Sequence, residues 1–575
     1  MTRPSRLPAS LPGGDPQTRV RSTAQFDAII VGSGAGGGVA AYVLASNGWK
    51  VALLEKGRNP YPTLGDPVLR GSLFGNDEIK ALRRFAFQDP TVEPRVFRIN
   101  GAPEYSTGDL QGLGVGVGGG TVQYDADSPR LQQADMSLLT TFGAVEGADV
   151  VDWPFGYAEL EPYYDEVERL IGVQGLAGAD PFAEPRKPYP MPPGHPGKAE
   201  TLLAVGARAL GLHPHPMPIA VNSMFYRGRP ACANCGFCFA GCPINAKGST
   251  AVTVIRDAWL TGNLTLIDQA CVTRVDVEPS GERATGVTYL DRDGLPQSIT
   301  ATHVVLACNA IETPRLMLES TSTAHPQGLG NGSGLVGRYL MFHVVFNVIA
   351  RFDEEIRSYR GRVIKMAFAD WTRSDGSPDY VRGGYVELGG RIHPVEFGAS
   401  LPWQLHKQLM IDGGWRRRMS AISMMGEDLP QAANRVELDP RVRDVYGRPV
   451  PRVTYRYHPH DQAMIARYTP KMDEVCKASG ALETMPMDMS AHYGAPDTKH
   501  LLGTTRMGTD PAASVCDPWG RLHEVQNVWV ADGGTWPTSA GFNPVLTQQA
   551  LAYRTAARMV KPDDPAGVLP GGGAR

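Results

Sequence analysis

The feature that most constrains this chain is a strand–glycine–helix–strand–acid run near its N-terminus. Phe26 to Val31 (FDAIIV) is a short apolar stretch suited to a buried parallel strand. It leads into GSGAGGG, which sets Gly32, Gly34 and Gly37 in the G-x-G-x-x-G spacing. Val39 to Ser46 continues as a helix, Lys50 to Leu54 (KVALL) forms the next strand, and Glu55 follows 21 positions after Gly34. Gly32 permits the tight turn, Gly34 lets backbone approach a pyrophosphate, and Gly37 lets helix and strand pack closely. The phosphates of such a ligand sit at the helix N-terminus, and Glu55 can accept the hydroxyls of an unphosphorylated adenosine ribose. The run predicts a dinucleotide-binding unit without separating FAD from NAD.

A second glycine run, Gly112 to Thr121 (GLGVGVGGGT), is too dense for the interior of a helix or strand. Gly119, Gly120 and Thr121 there would let backbone lie flat against a planar or phosphorylated ligand; the plainer reading is a surface loop. Further on, Tyr157 to Ile171 has helical spacing, and residues 181–197 carry seven prolines that forbid a helix. Lys198 to Leu210 resumes as helix. Thr302 to Leu306 reads as a strand returning to the nucleotide sheet, with a helix from Glu312 to Leu318. Between about 341 and 457 strand-like stretches separated by polar turns predict a mostly antiparallel sheet on the substrate side. Its chamber would include Trp403, His406, Trp415, Met424 and Met425. Residues 526–533 read as one more buried strand.

Composition removes several function classes. The net charge of −3 offers neither a basic field for nucleic acid nor a polybasic membrane anchor. The first 25 residues lack the apolar core of a secretion signal, and no stretch of 18 apolar residues is present to span a bilayer. The eight cysteines are unevenly placed, unlike the staples of a secreted domain, which predicts a cytoplasmic protein with one special cysteine site. Cys232, Cys235, Cys238 and Cys242 form that site. Their C-x2-C-x2-C-x3-C spacing before Pro243 matches the iron–sulfur run of bacterial ferredoxins and predicts a [4Fe-4S] or [3Fe-4S] cluster. Zinc, or a loop with no metal or with disulfides, are the rival readings.

The C-terminal stretch His500-LLGTTRMG through VADGGTWPTSAGFNPVLTQQALAYRTA resembles the H-x-x-G-T-x-x-M-G element, D-G pair and active-site Asn-Pro of the glucose–methanol–choline oxidoreductase family. The N-terminal fingerprint with Glu55, the GVGGGT run and Val304 to Leu318 are similar to other segments of that family, so the likeness covers nearly the whole chain. Within it, the bacterial FAD dehydrogenases of sugars and polyols are most alike. The resemblance implies an α/β plus α+β protein, in which a Rossmann-like FAD-binding domain carries a discontinuous substrate domain on a mostly antiparallel sheet.

The expected organisation is an arm over 1–25, FAD-binding segments over 26–180 and 231–340 (the second with the cysteine loop), and a Pro-rich crossover over 181–230. A substrate domain follows over 341–460, a C-terminal catalytic and FAD-binding segment over 461–562, and a disordered tail over 563–575. The resemblance further implies His500 as base, Asn543 as its active-site neighbour, and Asp532 and Gly533 as the flavin-binding pair. No histidine stands in Gly120-Thr121-Val122-Gln123-Tyr124, where some members attach FAD covalently, so FAD is expected to dissociate. The implied reaction oxidises an alcohol to a carbonyl and passes electrons to a protein or quinone, with the cluster, where one is held, as the route outward. An O2-using alcohol oxidase and a flavin-dependent lyase or isomerase are the alternatives.

Overall fold

The computed structural model describes residues 25–59, 61, 88–99, 106–108, 113–362, 365–373, 382–390, 404, 407, 411, 417–487 and 499–570. Trp403, His406 and Trp415, expected in the substrate chamber, lie outside the described residues, as does all of the N-terminal arm before Gln25.

The apolar run after Gln25 forms the middle of a seven-stranded sheet. Its parallel part is ordered β6 (Leu264–Asp268), β2 (Val51–Glu55), β1 (Gln25–Val31) and β9 (Pro296–Leu306), with β17 (Val528–Val530) paired to the last third of β9. β8 (Ala284–Leu290) and β7 (Cys271–Val277) extend it antiparallel from the first half of β9. Ala28, Ile29, Ile30 and Val51 to Leu54 are wholly buried, as parallel strands covered on both faces must be. Helix α1 (Ala35–Ser46) links β1 to β2, so the predicted βαβ unit is present.

The remaining long helices are α2 (Tyr157–Ile171), α3 (Lys198–Ala209), α4 (Val254–Leu260), α5 (Asn309–Glu319), α6 (Pro459–Ala478) and α7 (Val545–Val560). α1 packs against α4 and α7, and α7 in turn against α2. The expected tail over 563–575 is described as far as residue 570. Val568 and Leu569 still pack on the core, after a short 3-10 turn over Pro565–Val568 capped by the Asp564 carboxylate.

A second, antiparallel sheet is ordered β16 (Glu483–Met487), β10 (Val344–Arg351), β13 (Met419–Gly426), β12 (Gly384–Gly390), β11 (Met366–Phe368) and β5 (His215–Pro216). Alternation along these strands decides which side chains meet which layer. Val344, Phe346, Val348, Val386, Leu388, Ile422 and Met424 join Leu203 of α3 and Met464, Tyr468 and Met472 of α6 in one core. Tyr385, Glu387 and Met425 therefore stand on the opposite face, away from the two helices.

The stretch 341–457 does not form one sheet. β14 (Arg435–Arg443) and β15 (Pro449–Tyr455) leave for a four-stranded sheet with β3 (Arg95–Ile99) and β4 (Ser106–Gly108). There Val436, Val453 and Tyr455 pack with Phe97 and with Ala310 and Ile311 of α5, so this pair rests on the nucleotide-binding side.

Candidate active site

The parallel strands end together, and glycine makes their approach feasible. Gly32 has φ +96°, and a Cβ there would lie 2.4 Å from the Ala307 oxygen, just beyond β9. At Gly37 it would lie 1.9 Å from the Gly32 oxygen, and at Gly36 only 1.6 Å from the Ala531 oxygen, just beyond β17. Gly36 was not among the expected positions, although it sits in the same run. Gly34 and Gly120 differ, because no atom stands within 4 Å of a Cβ on either. Gly119 (φ +50°) abuts Gly34, with 2.8 Å from its Cβ position to the Gly34 Cα. The two glycine runs thus lie side by side and leave an open, backbone-lined surface at the start of α1. Gly34 caps α1 without a side chain, so the first-turn N–H groups remain available to an anion.

Glu55 ties the two runs together. One of its oxygens accepts from the Ser33 N–H (3.1 Å) and hydroxyl (2.7 Å), the other from the Gly57 and Gly116 N–H groups at 3.0 and 3.2 Å. A ribose hydroxyl would share those oxygens with the chain. Thr121 is buried and bonded inward: its hydroxyl donates to the Gly118 oxygen at 2.6 Å and accepts the Thr250 N–H at 3.0 Å. Asp532 accepts from the Asn309 N–H (3.0 Å), the Thr313 hydroxyl (2.5 Å) and the Gly534 N–H (2.8 Å). Burial pushes its pKa up to about 6 against those bonds. Asn309 has φ +83°, and a Cβ on Gly533 would meet the Leu501 oxygen at 2.2 Å. Asp532 and Gly533 accordingly pack the β17 end against both α5 and the segment carrying His500.

His500 is placed by a strand-like pairing. Met341 and Leu502 exchange both backbone hydrogen bonds at 3.0 Å, an antiparallel bridge that sets His343 opposite His500. Their Nδ1 atoms are 2.8 Å apart and the rings meet edge to face, 4.9 Å between centroids. His343 Nε2 lies 3.1 Å from the Ser539 carbonyl oxygen, which can only accept. His343 therefore carries its proton on Nε2. Burial holds its pKa down to about 4, so it is neutral and its Nδ1 bears a lone pair. That lone pair accepts the Nδ1–H of His500, which leaves the basic lone pair of His500 on Nε2. Burial, then His343 and Lys499, push the His500 pKa well below the usual histidine range, so it too is neutral at pH 7. His343 was missed in the sequence; its one signal was a histidine inside the apolar run LMFHVVF.

Asn543 is held on the other side of the same segment. Its Nδ2 donates to Glu387 Oε1 at 2.9 Å, while its Oδ1 is buried and has no hydrogen-bond partner among the described residues. Burial, opposed by the Asn543 bond and reinforced by Asp125, raises the Glu387 pKa to about 7. Residues 539–543 are pinned at Ser539 by His343 and at Gly541 by the Tyr385 N–H of β12 (2.9 Å). Non-glycine residues with positive φ stand in both segments, Ala540 at +58° and Thr504 at +73°.

The iron–sulfur expectation for Cys232, Cys235, Cys238 and Cys242 finds no support in the fold: among the described residues no three His, Cys, Asp or Glu side chains gather as a metal site. None of the four cysteines is in a disulfide. The loop is instead held by ordinary bonds: Cys232 N–H to the Asn222 oxygen (2.9 Å), Gly361 N–H to the Asn234 oxygen (3.0 Å), and Lys247 Nζ to the Cys238 oxygen.

The fold and site define a Rossmann-type oxidoreductase with a second, antiparallel unit over the strand ends. Two sequence profiles described as GMC oxidoreductase match residues 145–345 and 430–552, and one described as an NAD(P)-binding Rossmann-like domain matches 30–61. The chain is 32% identical to 2-methyl-1,2-propanediol dehydrogenase of Mycolicibacterium austroafricanum, over 93% of this chain and 95% of that protein. It is 32% identical to paromamine 6'-oxidase of Streptomyces fradiae (92% and 90%) and 30% to the fructose dehydrogenase large subunit of Gluconobacter japonicus (93% and 97%). Formate oxidase of Aspergillus oryzae shares the fold, with a TM-score of 0.65 at 14% identity, over 95% of this chain and 99% of that one. The chain belongs to the GMC oxidoreductase family.

Proposed function

We propose that the chain binds FAD without a covalent link and oxidises an alcohol group of a polyol or sugar to a carbonyl. The residues fit such a cofactor. Gly34 and Gly120 keep open the space that side chains would fill, the α1 N-terminus offers N–H groups to a pyrophosphate, and Glu55 faces the ribose position. Gly32, Gly37, Gly119, Thr121, Asp532 and Gly533 shape that surface through the packing described above. Bound FAD would supply the acceptor for the hydride leaving the carbinol carbon.

The protein's share of the chemistry is proton removal and orientation. The observation that carries the reading is the chain from Ser539 through His343 to His500, which leaves a neutral imidazole with its lone pair on Nε2. That atom takes the hydroxyl proton as the carbonyl forms. Asn543, with one N–H given to Glu387, keeps its second N–H for the alcohol oxygen. Electrons then pass to a protein or quinone acceptor. No helix among the described residues is long and apolar enough to cross a membrane.

The test is anaerobic addition of a panel of polyols, sugars and simple alcohols to the yellow holoprotein. Bleaching of the flavin absorbance by a polyol or sugar is expected, with turnover faster on a dye or quinone than on O2. No bleaching by any alcohol would reject alcohol oxidation, and faster turnover on O2 would make the protein an oxidase.

A further inference from the structure

Asn543 Oδ1 is a buried acceptor without a partner, in a side chain whose other end is firmly held. Leaving such a group unsatisfied is costly, and at a candidate site it offers an acceptor to a ligand that carries a donor. Glu387 decides which end of the amide is left over. It stands on β12 on the face opposite Val386 and Leu388, so alternation alone points it away from the α3–α6 core and toward residues 539–543. An ionised carboxylate can only accept, so it draws Nδ2 toward itself and turns Oδ1 away.

We propose that Glu387 fixes the Asn543 amide so that its carbonyl oxygen accepts a hydrogen bond from the substrate, which makes the site selective for alcohols bearing a second hydroxyl or an amino group beside the reacting carbon. This rests on the alcohol-oxidation reading above and names its substrate class. The amide then grips a vicinal pair: the remaining N–H bonds the reacting oxygen, and Oδ1 bonds the neighbouring O–H or N–H. A simple alcohol leaves Oδ1 unpaired, and a methyl ether at the neighbouring position adds a second acceptor against it. Glu387 acts through Asn543 and is a positioning residue. Among the described residues the groups acting on it are Asp125, Tyr385 and Asn543, none of them a cation, and Asn543 is the one that its carboxylate orders.

The experiment compares propane-1,2-diol, propan-1-ol and 2-methoxypropan-1-ol as reductants of the holoenzyme at pH 8, where Glu387 is ionised. Wild type is expected to favour the diol over both others by about tenfold or more in kcat/KM. Glu387→Leu and Asn543→Ala should each bring that ratio to within about threefold, and the double variant should lower it no further. The ratio is internal to each variant, so a general loss of stability or FAD content does not move it. A wild type that treats the three alike, or a diol preference that survives in Glu387→Leu, overturns the proposal. Flavin that none of these alcohols, nor any polyol or sugar, bleaches rejects the underlying reading instead.

Discussion

The Ser539 carbonyl oxygen has no proton to give, and that fixes the protons of two imidazoles in turn, His343 on Nε2 and His500 on Nδ1. His343→Phe keeps a ring in place but removes this order, so His500 can hold its proton on either nitrogen. The rate of flavin reduction by substrate should fall roughly 10–100-fold while FAD stays bound, as rapid mixing would measure. The pH profile carries a sign as well. In the proposed reaction His500 acts as a base only when neutral, and burial holds its pKa well below the usual histidine range, so its own limb lies in acid solution. In Glu387→Leu, which lacks the acid near 7, kcat/KM should therefore be flat above pH 6.5, and a limb centred higher in that variant would contradict the burial argument. At this scale the sequence named His500 and Asn543 through their motif, but not His343 or Glu387. Both partners depend on pairings across 157 and 156 residues, which local spacing does not encode.

At the level of elements, the two glycine runs combine glycines that close packing demands, such as Gly32, Gly36 and Gly37, with others, Gly34 and Gly120, that leave space open. They also separate folding from binding. Gly34 has φ −67° and open space at its Cβ, so Gly34→Val should fold with an unchanged apoprotein melting temperature yet retain little FAD. Gly36→Val should instead damage the fold, because its side chain would strike the Ala531 oxygen. Flavin absorbance per chain and apoprotein melting together distinguish the two outcomes. Strand existence over 341–457 was also readable, whereas sheet membership was not. Periodicity shows which residues share a face, but β14 and β15 turn to α5 through contacts with Phe97 and Ile311, which lie far away in sequence. The cysteine spacing shows the opposite limit: it fits a cluster, yet among the described residues no side chains gather as a metal site to support it.

Across the whole molecule, buried acids set a pH dependence of stability. Glu427, wholly buried just beyond β13 and with no hydrogen-bond partner for either oxygen among the described residues, is pushed up to about 7, and Asp461 in the first turn of α6 to about 8, both by burial. The folded chain therefore holds protons that the unfolded chain releases from about pH 4 upward, so stability falls as pH rises toward 8 and is greater below that window. Glu427→Gln should remove part of this loss. Its melting temperature should exceed wild type at pH 8, by the equivalent of roughly 1–3 kcal/mol, and the gain should shrink toward pH 5.

The glycine surface, the His343–His500 pair and the Asn543–Glu387 pair are each assembled from segments distant in the chain, and in the proposed reaction they together serve the removal of one hydroxyl proton beside a bound flavin. The most direct test is the rate of flavin reduction by a saturating alcohol substrate in His500→Ala, followed by rapid anaerobic mixing. The account predicts a holoprotein with normal FAD content whose reduction is slower than wild type by roughly 10²–10⁴-fold. An unchanged rate would show that the base is elsewhere.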